Sequence, residues 1–272
     1  MSVENGKVEQ PQWPIYVVSL VRAAERRARC TATMQRLGLT FEFFDAVEGA
    51  KLTDEELFRV YDPAKNARLY KHPLTRPEIG CTLSHVALWQ RIAASDAGGA
   101  FILEDDFEAS PELPDIVRAI CVANLENCMI KLFASKPVLG TNIGRVTSGH
   151  WLILPNHIPG QTLGYSIDRV AAGRLAAGIL PMARPVDMEI KHWWQFDVPI
   201  LSVEPSPLRV NLAETGSTIE AARVGEKSSS IARAWHNLRY QIAYNLGVLR
   251  NRSHQRMHAR RLQAMLKGGE PR

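Results

Sequence analysis

The chain has 272 residues, 46% hydrophobic and 22% charged, an ordinary balance for a globular protein that buries a sizeable core. No run approaches the roughly 20 apolar residues of a membrane-spanning helix, and the polar opening Met1–Pro14 lacks a secretory pattern. The four cysteines (Cys30, Cys81, Cys121, Cys128) show neither C-x-x-C pairing nor metal-knuckle spacing, so free thiols are expected. The net charge of +5 is uneven: residues 221–272 carry 11 Lys/Arg against 2 Asp/Glu, and the remainder is mildly acidic at −4.

Ile15–Leu20 is a β-rich run, followed by a helical pattern from Ala23 to about Leu37 that stops at Gly38. Phe41–Val47 reads as a second strand, broken by Gly49. Such a strand–helix–strand opening predicts a parallel α/β sheet. Arg22, Arg26, Arg27 and Arg29 crowd the start of the helix, just past a strand's carboxyl end, where they face solvent or a ligand's phosphates. Residues 52–61 read as a helix opened by Thr53 and Glu56 at capping-box spacing. Thr75 and Glu78 repeat that spacing at the head of a helix running to Ala94. Ser84 and His85 sit in its middle, where a histidine serves either packing or a ligand.

Further along, a helix from Pro111 to about Leu125 and a strand at Met129–Phe133 are expected. Residues 137–158 read as short strands or a hairpin. Gly160–Ile167 precedes a helix holding Ala171, Ala172, Leu175 and Ala176, with Ser166 or Asp168 as its cap. Asp187 is a lone acid at an element boundary. Trp193 and Trp194 are either core or faces on which a sugar stacks.

The most telling stretch is Phe101–Glu108, where an apolar run climbs into Glu104, Asp105 and Asp106. Adjacent carboxylates at the end of a buried strand repel one another and resist desolvation. Relief comes from solvent or from a divalent cation, and all-oxygen sites suit Mg²⁺ or Mn²⁺. In open α/β sheets ligands bind just beyond the carboxyl ends of the strands, where these acids fall.

From Ser228 the chain changes character. Ile231, Ala234, Leu238, Ile242, Asn245, Leu246 and Leu249 recur at helical spacing among arginines, and a second basic stretch runs from Arg252 to Lys267. A basic amphipathic helix or helix pair lies on anionic lipid or packs on the body. Nucleic acid is a third partner and the least favoured, because no recognition motif accompanies the charge, and none is expected.

The ordered motifs resemble glycosyltransferase family 25, the lipopolysaccharide-biosynthesis galactosyltransferases and their collagen-modifying relatives. The carrying residues are Ile15–Leu20 with Glu25–Arg27, Phe41–Gly49, Leu74–His85, Ile102–Asp106, Gly164–Ile167 and Pro185–Asp187. They cover roughly residues 14–213 and leave the tail outside. Ser19–Leu20 stands where the family usually has Asn-Leu, and Pro77 precedes Glu78 where a small residue is common.

This resemblance implies an α/β, GT-A-like nucleotide-diphospho-sugar transferase fold with a mainly parallel central sheet and a basic C-terminal helical tail. The expected organisation is a disordered N-terminus over 1–13, a transferase domain over 14–220 and the tail over 221–272. The implied reaction is inverting transfer of a hexose, galactose above all, from a UDP-sugar to a hydroxyl of a lipopolysaccharide or other cell-envelope glycan. Mn²⁺ or Mg²⁺ is expected on Glu104 and Asp106. Arg26, Ser84, His85, Glu104 and Asp105 are the expected donor-sugar contacts, and Asp187 is the expected base, with Glu189 and Asp197 as rivals. The tail, residues 228–272, is expected to hold a cytoplasmic enzyme against the inner face of the membrane, near a glycan or glycolipid acceptor. Alternatives are a metal-dependent nucleotidyltransferase, or a non-enzymatic protein recruited to anionic surfaces by its tail.

Overall fold

The computed structural model describes residues 13–211 and 230–268. The expected N-terminal stretch lies outside these except for Trp13, which is buried in the core rather than disordered. The boundary expected at 220/221 and the side chains of Ile231 and Ala234 also lie outside them.

The chain takes the expected α/β form, with helices on both faces of one large mixed sheet. Strands β1 (Ile15–Ser19), β2 (Glu42–Asp45), β3 (Gly99–Glu104), β4 (Phe107–Ala109), β5 (Met129–Lys131), β6 (Gly140–Arg145), β7 (Trp151–Pro155), β8 (Gly164–Asp168), β9 (Ile200–Glu204) and β10 (Leu208–Val210) appear in that chain order. Eight of them form the sheet β2-β1-β3-β8-β5-β9-β7-β6, while β10 and β4 pair separately.

The parallel run expected from the opening covers β2-β1-β3, and β5 is parallel to β9. The sheet turns antiparallel at β8, which sits between β3 and β5. Residues 164–168 form a strand where only a helix approach was expected. Its side chains are buried on both faces, so it has no alternation by which to be recognised. The expected hairpin is β6–β7, and Asp168, rather than Ser166, caps the following helix.

Period-2 alternation sorts the core onto the two faces. Ile15, Val17, Phe101 and Leu103 pack with Cys30 and Met34 of the helix Ala24–Arg36 on one side. Tyr16, Val18, Ala100 and Ile102 pack with Val86, Leu88 and Trp89 of the helix Arg76–Ala93 on the other. Each large side chain so buried contributes about 1.5–3 kcal/mol. The Thr53/Glu56 and Thr75/Glu78 capping boxes both form.

The tail forms two helices, Ser230–Arg250 and Arg252–Leu266, and docks on the body. Leu262 is fully buried and Ala259 nearly so, in the same core as β1 and β3. Gln255 Nε2 donates to the Pro155 carbonyl at 2.6 Å and Gln263 Nε2 to the Asn142 carbonyl at 2.9 Å. Trp193 is core, and Trp194 packs so tightly on Gly247 that a Cβ there would lie 2.4 Å from its ring. The tryptophan pair therefore anchors the tail. Leu238, Ile242, Leu246 and Leu249 remain about half exposed on the first tail helix.

One close approach shapes the functional end of the sheet. The turn Gly49–Lys51 lies on the helix Arg76–Ala93 through glycine against glycine. A Cβ at Gly80 would stand 2.6 Å from the Val47 carbonyl oxygen and 2.7 Å from the Gly49 nitrogen. In an open helix Gly→Ala gains about 0.5–1 kcal/mol, but overpacking against backbone costs about 1–3 kcal/mol or more. Gly80→Ala is therefore expected to lower stability, by about 2 kcal/mol in denaturant titration, whereas a helix-propensity gain would raise it.

Candidate active site

β1 and β3 run parallel with Val18 beside Glu104, so both strands deliver their carboxyl ends to one edge. β2 lies on the far side of β1, which makes this edge a switch point of the sheet. A cleft of about 190 Å³ opens there, walled by Arg26, Val47, Cys81, His85, Glu104 and Asp105 among others. A larger hollow of about 960 Å³ runs between residues 134–139 and the tail helices, but no Asp, Glu or Cys lines it. The chemistry therefore points to the smaller cleft.

The three consecutive acids are held in three different ways. Asp105 accepts the Ser19 hydroxyl at 2.6 Å on one oxygen and pairs with the Arg26 guanidinium at 3.0 Å on the other. Arg27 bridges the Ser19 carbonyl and Asp45. The basic start of the first helix thus neutralises one acid of the triplet and ties β1 to β2.

Glu104 accepts the Thr162 hydroxyl, and His85 Nε2 lies 3.4 Å from its Oε1. Burial works to raise its carboxyl, but His85, Thr162 and the Lys131 charge prevail and hold it below the ordinary carboxylate range. Asp106 has the opposite fate. Burial first, then repulsion from Glu104 and Asp105, pushes it up to about 6, and its buried Oδ1 has no hydrogen-bond partner.

His85 is fully buried, at the centre of a relay. Trp89 Nε1 donates to the Tyr165 hydroxyl at 2.9 Å, and that hydroxyl lies 2.7 Å from His85 Nδ1. The arrangement that satisfies all three has Tyr165 donating to Nδ1, so that the Nε2 proton faces Glu104. The Cys81 sulfur, His85 and Glu104 gather within 4.8 Å. The Cys81 thiol is pushed well up, by burial and then by Glu104, Asp187, Glu78 and Asp106. Asp187 and Asp106, far apart in the sequence, therefore act on one half-buried thiol.

Asp187 is half-buried in the first turn of the helix Val186–Glu189 and accepts from the Gln161 amide at 3.3 Å. Its charge acts on Lys131 and Lys191. Lys131, at the end of β5, was not singled out from the sequence. It is fully buried, donates to the carbonyls of Pro159, Gly160 and Gln161, and is pushed down to about 7 by burial against the pull of Asp187 and Glu104. A lysine inside the apolar run Met129–Phe133 is the signal that marks it.

Ser84 uses its hydroxyl within the protein, donating to the Gly80 carbonyl and accepting from the Val47 amide, both at 2.8 Å. It fixes the cleft wall. Glu189 is buried in an ion pair with Arg184, and Asp197 pairs with Arg174 beside the tail helix. Neither carboxylate lines the cleft, nor does that of Asp187.

The residues fit a hard divalent cation. Asp106 supplies an unpartnered buried carboxylate oxygen, the donor type such ions prefer. Of the two expected ligands Asp106 fits better, because Oε1 of Glu104 is already bound to Thr162.

The sequence profile of Glycosyltransferase family 25 (LPS biosynthesis protein) matches residues 12–143. A Glycosyltransferase 25 family member of Aedes aegypti is 37% identical over 100 residues, 36% of this chain and 16% of the relative. The lacto-N-neotetraose biosynthesis glycosyltransferase LgtE of Neisseria meningitidis serogroup B is 35% identical over 91 residues, 34% of this chain and 31% of the relative. The probable inactive glycosyltransferase 25 family member 3 of Rattus norvegicus is 29% identical over 216 residues, 70% of this chain and 37% of the relative. The chain thus spans between 16% and 37% of these relatives' lengths.

A carboxyl raised to about 6 binds protons more readily folded than unfolded, so Asp106 costs stability above that pH and nothing below about pH 4. In metal-free buffer Asp106→Asn is expected to stabilise the fold by about 1–2 kcal/mol at neutral pH. Chemical denaturation at pH 7 and pH 4 checks this, since the gain must vanish at the lower pH.

Proposed function

We propose that the chain, whose residues 12–143 match glycosyltransferase family 25, is an inverting hexosyltransferase acting from a UDP-sugar. The observation that carries the reading is the unpartnered Asp106 oxygen at the end of β3, beside a cleft at the sheet's switch point. A Mn²⁺ or Mg²⁺ ion on Asp106, with Glu104 assisting, would offset the negative charge that grows on the departing nucleoside diphosphate. Galactose is the hexose to which the family resemblance points. The proposed acceptor is a hydroxyl of a lipopolysaccharide or other cell-envelope glycan, in keeping with the family's link to LPS biosynthesis.

The chain's own residues take distinct parts. Arg26 and Asp105 form the rim on which the nucleotide half of the donor rests, and Ser84 supports that wall through the Val47 amide. His85, held by Tyr165 and Trp89, keeps Glu104 ionised and oriented toward the cleft. Asp187 is the base that takes the proton from the attacking hydroxyl. Gly160 lies beside it, where a Cβ would stand at ordinary contact distance, 3.8 Å from Asp187 Oδ2 and 3.7 Å from Lys191 Nζ.

Calorimetric titration of UDP-galactose with and without Mn²⁺, followed by turnover, tests this reading. Asp106→Ala is expected to lose metal-dependent binding. Asp187→Asn is expected to keep binding while kcat falls roughly 10²–10⁴-fold, the usual worth of a positioned base. Equal, metal-independent binding by wild type and Asp106→Ala overturns the reading.

The tail is proposed to hold a cytoplasmic enzyme on anionic membrane. Leu238, Ile242, Leu246 and Leu249 form an exposed apolar stripe on its first helix, near Arg239 and Arg250. Deleting the tail is a poor test, because Leu262 belongs to the core. Leu238→Glu with Ile242→Glu leaves the core intact and is expected to abolish co-sedimentation with anionic vesicles. Undiminished sedimentation refutes the attachment.

A further inference from the structure

A second group of metal-type ligands gathers where the last helix meets the body, away from the cleft. His254 and His258 stand one turn apart on the helix Arg252–Leu266, so their rings share one face. Asp197 comes from the body, just after the turn Ile190–Gln195, with its backbone in the left-handed region at φ 53°. Nε2 of His254 and Nε2 of His258 lie 2.9 and 3.0 Å from the same oxygen, Asp197 Oδ1. The two imidazoles lie with centroids 4.5 Å apart and planes tilted by 31°, and Trp193 borders both at 5.4 and 5.6 Å. His258 is 3% exposed.

We infer that Asp197, His254 and His258 bind a divalent zinc-type ion that joins the C-terminal helix to the transferase body. Two imidazole nitrogens and one carboxylate oxygen are a ligand set that zinc favours, with a fourth position open to water. Metal–ligand bonds near 2.0–2.1 Å in a tetrahedron place ligand atoms about 3.3 Å apart. The observed separations are a few tenths of an ångström shorter, so small side-chain rotations seat the ion without moving backbone. Arg174 pairs with the other oxygen of Asp197, which orients Oδ1 toward the imidazoles as outer partners of metal ligands do. The open side is available, since the side chains of Asp197 and His254 are 44% and 31% exposed.

This nitrogen-rich set differs in kind from the all-oxygen set at Asp106, so the two sites prefer different ions. Because its ligands come from both sides of the tail–body contact, an ion there adds its binding energy to the docking of the tail.

The test uses the full chain, stripped with chelator and titrated with Zn²⁺ in a calorimeter, with thermal unfolding followed in parallel. Wild type and Asp106→Ala are expected to bind zinc and unfold at higher temperature when loaded. His254→Ala is expected to bind at least ~10–100-fold more weakly at this site and to lose the thermal gain. His254→Gln, closer in size, is expected to behave alike, which separates ligand loss from misfolding. Co²⁺ in place of Zn²⁺ should give visible d–d bands without a thiolate charge-transfer band, distinguishing the site from the Cys81–His85–Glu104 group. Zinc uptake and stabilisation that survive unchanged in both His254 variants overturn the inference, as does the absence of uptake by wild type. In that case the three side chains form only a hydrogen-bonded cluster.

Discussion

Three consecutive carboxylates at the end of one buried strand are the constraint to which the active end of this protein answers. Left together they would repel and protonate, and the fold prevents this by giving each a separate environment. Asp105 is drawn toward β1 by Ser19 and Arg26, and Glu104 is turned to the opposite side, onto Thr162 and His85. Only Asp106 is left with an unpartnered buried oxygen, and it alone of the three is pushed up to about 6. The division engages two acids with the protein's own side chains and leaves an oxygen of the third free for the cation proposed there.

That division depends on groups brought from far along the chain. Tyr165 lies on β8, antiparallel to β3, and its hydroxyl links Trp89 and His85 beneath Glu104. Thr162 precedes the same strand. Insertion of β8 beside β3 therefore does more than fill the sheet, because it supplies the partners that keep Glu104 ionised. The glycine contact between Gly49 and Gly80 performs the matching task on the other wall, where it lets the loop after β2 approach the helix that carries His85.

The C-terminal helices combine two surfaces. Ala259 and Leu262 complete the core against β6 and its neighbours, and Trp194 seats on Gly247. The stripe Leu238, Ile242 and Leu246 stays about half exposed among the described residues. A segment with one apolar face docked and another exposed caps the body and leaves a surface for the attachment proposed above. The histidines at the docked face give the joint a chemistry of its own.

Much of this was readable from residue order alone. Alternating apolar residues in β1 and β3 mark both faces of a buried strand, and Thr53, Glu56, Thr75 and Glu78 announce their helix starts, because these signals act over three or four residues. The triplet Glu104–Asp106 and the motif order around it pointed to the carboxyl edge of β1 and β3, where the cleft opens. The tertiary structure decided everything that depends on distant partners. It buried Ser84 and His85 as supports, placed Lys131 among three carbonyls, made a strand of residues 164–168, and turned Trp193 and Trp194 toward the tail. Which acid of the triplet remains unpartnered was likewise beyond the sequence, because local charge is the same for all three and only the neighbours across the sheet distinguish them.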